Sequence, residues 1–192
     1  MKIVIIDYGA GNIQSIKFAI KRLGFEAMLS DNVAEIQNAD KVIFPGVGEA
    51  SSAMNKLRAS GLDKIVPLLK QPVLGICLGM QLMCNHTEEG NTNGLGIFDV
   101  NVIKFSNQVK VPQIGWNKIT GLQSKLFEGL AEDYIYMVHS FYAPLCNETI
   151  ATCNYDVAYS AALQKSNFYG TQFHPEKSGK YGEQILKNFL KE

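Results

Sequence analysis

The chain is poor in the residues that would staple it, metallate it or bind it to nucleic acid. It has four cysteines, Cys77, Cys84, Cys146 and Cys153, and no two have Cys-x-x-Cys spacing. That excludes the usual zinc-ribbon and dithiol redox motifs. A chain of 192 residues buries enough surface to fold without disulfides, so the four are read as reduced thiols of a cytoplasmic protein. Only three histidines are present, His86, His139 and His174. None lies in a His/Cys/Asp/Glu cluster with ligand spacing, and neither a metal nor another cofactor is expected. Lys plus Arg number 18 against 18 Asp plus Glu, so the basic excess of a nucleic-acid binder is missing. No apolar run approaches the roughly 18 residues of a membrane span. The opening Met1–Asp7 is not a secretory signal, because its apolar run Ile3–Ile6 ends at once in Asp7. With no repeat, linker or low-complexity stretch, residues 1–192 are expected to form a single domain.

What is present is an alternation of short apolar runs with helical stretches. Ile3–Ile6 reads as a strand buried on both faces. A glycine-bearing turn over Asp7–Gly11 follows, with Asn12 as a helix N-cap. Ile13, Ile16, Ile20 and Leu23 then recur at helical spacing, and Gly24 sits at the C-cap. Lys41–Phe44 runs into Pro45-Gly46-Val47-Gly48 and a helix through Leu57. Val73–Ile76 runs into Cys77 and an apolar helical stretch through Met83. Such alternation predicts an α/β fold with a mostly parallel central sheet and helices on both faces, its ligands bound at the carboxyl ends of the strands. Val100–Phe105, Tyr134–Val138 and Phe168–Phe173 are aromatic and β-branched, and are expected as antiparallel additions to that sheet. A final helix carries Tyr181, Ile185, Leu186 and Phe189 on one stripe.

Gly75-Ile76-Cys77-Leu78-Gly79 lies between a predicted strand and a predicted helix, the setting of a nucleophile elbow. Such a turn exposes the thiol, places it at a helix N-terminus that favours thiolate, and aims the Leu78 N–H at the same space as an oxyanion donor. The competing reading is a buried core thiol, common for free cysteine. A thiol nucleophile wants a histidine, and the histidine an orienting acid. His174-Pro175-Glu176 follows a predicted strand, and alternation would put His174 and Glu176 on one side. A chance His and Glu on a surface loop is the alternative. His86, in a polar segment, is expected in a solvated loop, and His139 is a possible neighbour of the site.

These residues carry a resemblance. Cys77-Leu78-Gly79-Met80-Gln81 after Gly75, His174-Pro175-Glu176-Lys177-Ser178, and Pro45-Gly46-Val47-Gly48 are similar to the nucleophile motif, His/Glu motif and oxyanion loop of class I glutamine amidotransferases. Asp7–Asn12, Glu88-Glu89-Gly90 with Gly94-Leu95-Gly96, Pro112–Asn117 and Tyr136–Phe141 resemble the branch of that family formed by glutaminase subunits of imidazole glycerol phosphate synthase. The resemblance covers essentially the whole chain. It departs at Gln113-Ile114, where the branch often has His-Met, and at Ala10, where a larger residue is common.

The resemblance implies a flavodoxin-like fold and a Cys77–His174–Glu176 triad acting on glutamine. The oxyanion would be held by the N–H groups of Leu78 and Val47. Gly46, Gly48, Gln81, Glu89, Ser140 and Phe141 would contact the substrate, although Gly46 and Gly48 also read as plain turn residues and Phe141 as core. The ammonia would pass to a (β/α)8-barrel cyclase subunit in a heterodimer, with Asn12, Trp116, Tyr136 and Lys177 near the interface. Trp116 is open to a core reading too. The free subunit is expected to be a poor glutaminase, since one peptide flip in Gly46-Val47-Gly48 could make or break the oxyanion hole. A glutaminase of another pathway and a stand-alone cysteine hydrolase remain the alternatives.

Overall fold

Strand β1 (Ile3–Ile6) has no polar position because both of its faces are covered: Ile3 and Ile5 enter one core cluster, Val4 and Ile6 the other. The computed structural model describes residues 1–192. After β1 come α1 (Ile13–Arg22), β2 (Ala27–Ser30), α2 (Val33–Gln37), β3 (Lys41–Gly46), α3 (Ala50–Ala59), β4 (Val73–Cys77) and α4 (Leu78–Leu82). The second half adds β5 (Cys84–Thr87), β6 (Thr92–Asn93), β7 (Phe98–Lys104), β8 (Gln113–Thr120), β9 (Tyr134–His139), β10 (Phe141–Tyr142), β11 (Thr149–Asn154), β12 (Ala158–Lys165), β13 (Phe168–Thr171) and α5 (Gly179–Lys191).

The main sheet has the order β2-β1-β3-β4-β13-β12-β11-β8-β9. Its first five strands are parallel, in the flavodoxin-like arrangement, and the last four continue it antiparallel. Helices α1 and α5 cover one face through Ile16, Ala19, Ile20, Ile185, Leu186 and Phe189. Helix α3 covers the other through Ala50, Ala53, Met54 and Leu57. Each large aliphatic side chain so buried contributes about 1.5–3 kcal/mol of transfer free energy.

Several expectations are corrected. β7 does not join the main sheet. It lies in a separate sheet of order β10-β7-β5-β6, and its buried–exposed alternation fits that one-sided packing. β13 is no antiparallel add-on to the parallel part: it pairs parallel with β4, and all four of its residues are buried. β3 extends through Pro45-Gly46, so the loop is shorter than the motif. The helix after Cys77 has only five residues. Asn12 precedes α1 but makes no side-chain cap hydrogen bond. His86 lies on β5, with Nε2 3.0 Å from Asn91 Oδ1.

Candidate active site

Cys77 ends β4 and starts α4 with φ 54° and ψ −112°. A non-glycine residue at positive φ is strained and persists only where its surroundings over-determine it. Here the surroundings are two glycines. Gly46 of β3 pairs with Cys77, and a Cβ on Gly46 would lie 2.4 Å from the Gly79 nitrogen. A Cβ on Gly79 would lie 2.0 Å from the Phe44 carbonyl oxygen. The turn is therefore clamped against β3 at van der Waals distance, and the thiol stands at the carboxyl end of a central strand.

His174 and Glu176 reach each other by a route other than strand alternation. Strand β13 stops at Thr171, and Pro175–Lys177 is one turn of 3-10 helix. His174 Nδ1 lies 2.8 Å from Glu176 Oε1. A carboxylate only accepts, so Nδ1 carries the proton and Nε2 is left for the sulfur. Burial would lower the His174 pKa, but hydrogen bonds with Cys77 and Glu176 outweigh it and raise it to about 9. The second Glu176 oxygen is buried with no hydrogen-bond partner in the chain, so the imidazole is the main compensation for that buried charge. The turn is pinned to β9: Ser178 Oγ donates to the His174 carbonyl at 2.7 Å and accepts from the Tyr136 N–H at 3.1 Å.

A cavity of about 340 Å³ opens over Cys77. Val47, Gly48, Leu78, Gln81, Glu89, Ser140, Phe141, His174 and Lys177 line it with Cys77. Pro112, Val138 and His139 complete its wall. Gly46 is not on the wall; it sits beneath, against the nucleophile turn. Glu176 is screened behind His174, and Asn12, Trp116 and Tyr136 lie off the cavity.

The polar wall residues are already partly engaged. Gln81 Nε2 donates to the Phe141 carbonyl and to Gln172 Oε1, both at 2.9 Å. Only Gln81 Oε1 remains free, an acceptor suited to a substrate N–H or ammonium group. Glu89 Oε2 accepts from the Ala50 N–H at 3.0 Å at the start of α3, and burial raises its pKa. His139 is buried between the Phe141 carbonyl, 2.8 Å from Nδ1, and the Tyr159 hydroxyl, 3.1 Å from Nε2. Burial lowers its pKa to about 4, so it is neutral at pH 7 and supports the cavity wall.

The opening motif also reaches the site. Tyr8 Oη donates to the Pro45 carbonyl at 2.7 Å, one residue before Gly46. Burial raises the Tyr8 pKa, which keeps the hydroxyl protonated as a donor. Trp116 and Tyr136 face each other across β8 and β9 with ring centroids 6.1 Å apart, and Lys177 Nζ lies 6.0 Å from the Tyr136 ring centroid. Trp116 is 54% exposed, which removes the core reading. Ile114 and Tyr134 beside it are exposed as well, giving an apolar ridge at the sheet edge next to the cavity. Sequence reasoning gave no role to Gln172. The available signal is a polar residue between the strand-like Phe168–Thr171 and Phe173, two positions before His174.

Residues 4–192 match the family model described as glutamine amidotransferase class-I, and the chain belongs to that family. A Bacteroides thetaiotaomicron protein named imidazole glycerol phosphate synthase subunit HisH is 56% identical over 194 residues, 99% of each chain. The protein of the same name from Pasteurella multocida is 47% identical over 98% of this chain and 96% of its own. Among solved structures, one described as a glutamine amidotransferase superposes with a TM-score of 0.77 at 19% identity, covering 98% of this chain and 97% of the other. PurLQS from Thermotoga maritima does so at 0.74 and 16%, over 99% and 97%. At such identities these two speak for the fold alone.

Proposed function

We propose that the chain is the glutaminase subunit of an imidazole glycerol phosphate synthase. It hydrolyses glutamine to glutamate and ammonia and hands the ammonia to a separate cyclase subunit in histidine biosynthesis. The observation that carries the chemistry is Cys77, held at positive φ over a cavity that it shares with His174, itself bonded to Glu176 at 2.8 Å. The observation that favours this pathway is full-length identity of 47–56% to proteins bearing the subunit's name.

In this reading the Cys77 sulfur attacks the side-chain amide carbon of glutamine. The Leu78 N–H, with that of Val47 on the adjoining loop, stabilises the oxyanion. His174, protonated on Nε2 by the thiol, passes that proton to the departing ammonia, and Glu176 keeps its ring oriented. Water then hydrolyses the γ-glutamyl thioester. Glu89 and the Gln81 Oε1 receive the α-ammonium end, supported by their place on the cavity wall and the unused acceptor on Gln81. The 192 residues act as one amidotransferase domain, in line with the family match over 4–192.

The partner is a (β/α)8-barrel cyclase in a cytoplasmic heterodimer. It docks on the ridge of Ile114, Trp116, Tyr134 and Tyr136, with Lys177 beside Tyr136 and with Asn12 as a further interface residue. Exposed aromatic and aliphatic side chains adjoining the cavity mouth support this docking. The four unpaired cysteines fit a reducing compartment. No helix is long and apolar enough to cross a membrane.

Glutamate release from glutamine, measured with and without the cognate cyclase and its nucleotide substrate, tests the assignment, with Cys77→Ala as control. Release that rises with the liganded cyclase and vanishes in the variant is expected. Cys77-dependent release indifferent to the cyclase would transfer the chain to another pathway.

A further inference from the structure

A directional chain of side-chain amides leads from the cavity wall to the reacting sulfur. Its first link fixes the rest. The Phe141 carbonyl can only accept, so the Gln81 atom 2.9 Å from it is the amide nitrogen. The second N–H of that same nitrogen reaches Gln172 at 2.9 Å, so the Gln172 atom there is the oxygen. That leaves Gln172 Nε2 turned toward Cys77 Sγ, at 3.9 Å. Neither amide can flip without setting N–H against N–H or oxygen against oxygen.

Gln172 is fully buried and Gln81 nearly so. A buried amide donor that meets only a neutral thiol is poorly satisfied, because thiol sulfur is a weak acceptor. Against a thiolate the same N–H makes a charge-assisted bond. We infer that Gln172 is a second hydrogen-bond donor to the Cys77 thiolate, alongside His174, and that Gln81 is a positioning residue that aims it. The 3.9 Å separation is loose, as such contacts often are before substrate arrives, and it shortens once the charge is present. The arrangement also links the Phe141 segment of the substrate wall to the nucleophile, so a displacement of that wall reaches the sulfur through two amides. This inference rests on Cys77 being the nucleophile proposed above.

The test needs neither partner nor turnover. The full chain is treated with iodoacetamide over a series of pH values, and peptide mass spectrometry follows Cys77 separately from Cys84, Cys146 and Cys153. Circular dichroism verifies the fold of each variant. Gln172→Met keeps the volume and removes the donor; its Cys77 profile is expected to move to higher pH by about one unit, slowing alkylation on the acid limb roughly tenfold. Gln81→Met leaves Gln172 in place but unaimed, and is expected to give a smaller shift of the same sign. A folded Gln172→Met chain whose profile overlays the parent overturns the inference. If Gln172→Met does not fold, Gln81→Met decides alone, and an unshifted profile is again fatal. A parent chain in which Cys77 reacts no faster than half-buried Cys146 at any pH overturns the nucleophile reading and this inference together.

Discussion

Gly182 sits in helix α5, far from the sulfur in sequence, yet it packs against the turn that carries His174. A Cβ at this position would lie 2.0 Å from the Pro175 carbonyl oxygen, 2.8 Å from the Pro175 carbonyl carbon and 2.9 Å from Ser178 Cβ. Ordinary contact begins at 3.4 Å, so the turn bearing His174 and Glu176 must move by about 1.4 Å, or α5 must move away from it. Two effects oppose each other in Gly182→Ala. Helix propensity gains up to about 1 kcal/mol. Overpacking against backbone costs about 1–3 kcal/mol, and backbone has no rotamer with which to yield. Net destabilisation of up to about 2 kcal/mol is expected in urea unfolding. The effect on activity should be larger than the effect on stability. The hydrogen bonds that hold the turn to β9 run through Ser178 Oγ and the His174 N–H, which donates to the Tyr136 carbonyl at 3.2 Å. A misplacement of about 1 Å at a catalytic group costs on the order of 100-fold. Steady-state glutaminase assays with the liganded cyclase should show that fall in kcat. A Gly182→Ala protein with parental kcat would refute the claim that this contact sets the position of His174.

Stability against pH should peak near neutrality. His139, lowered to about 4 by burial, binds its proton more weakly folded than unfolded, so stability is lost as pH falls through that window, by about 3 kcal/mol in all. His174 has the opposite sign: raised to about 9, it contributes stability below about pH 6.5 that is lost as pH rises through 9, again about 3 kcal/mol. Urea unfolding of His139→Gln should flatten only the acid limb, and a parent curve rising steadily to high pH would contradict the His174 pairing. Glu176→Gln should lower kcat on the order of 10³–10⁴-fold with little change in KM, because it leaves the ring present but misoriented; a drop under tenfold would rule out the orienting role. Trp116→Ala should weaken cyclase binding by about 2 kcal/mol, roughly thirtyfold in Kd, while leaving Tm nearly unchanged because the ring is exposed. Isothermal titration that finds parental affinity would move the interface elsewhere.

The parallel half of the fold was legible because strands covered on both faces need apolar residues at every position. β1, β3 and β4 can be read that way, although β3 runs two residues into the expected turn, through Pro45-Gly46. β13 carries the same signature, Phe168–Thr171 buried throughout, but its aromatic content suggests an antiparallel addition to the sheet. Its parallel pairing with β4 is set by a contact nearly a hundred residues away in sequence, which local pattern does not register. β7 illustrates the same limit, since alternation reveals a one-sided strand but not which sheet it joins. The proximity of His174 to Glu176 was legible for the wrong reason: Pro175 starts a 3-10 turn, and i to i+2 proximity survives the change of backbone. Trp116 is ambiguous in the sequence because it lies with Ile114 on the solvent side of β8, where hydrophobicity does not lead to burial. Gly46 reads from the sequence as a substrate contact or a plain turn residue; in the structure its missing side chain makes room for Leu78 and Gly79. Gln172 is not singled out by the sequence, because a polar residue just past the end of β13 acquires meaning only once its partners, Gln81 and Cys77, are located.

The central claim is that the Cys77 sulfur takes the γ-glutamyl group from glutamine. The complex with the cyclase, turning over glutamine and quenched in acid, can be digested and its peptides weighed. The account predicts a γ-glutamyl adduct on the peptide containing Cys77, absent from Cys77→Ala. Normal turnover with no adduct there, or with the adduct on another residue, would contradict it.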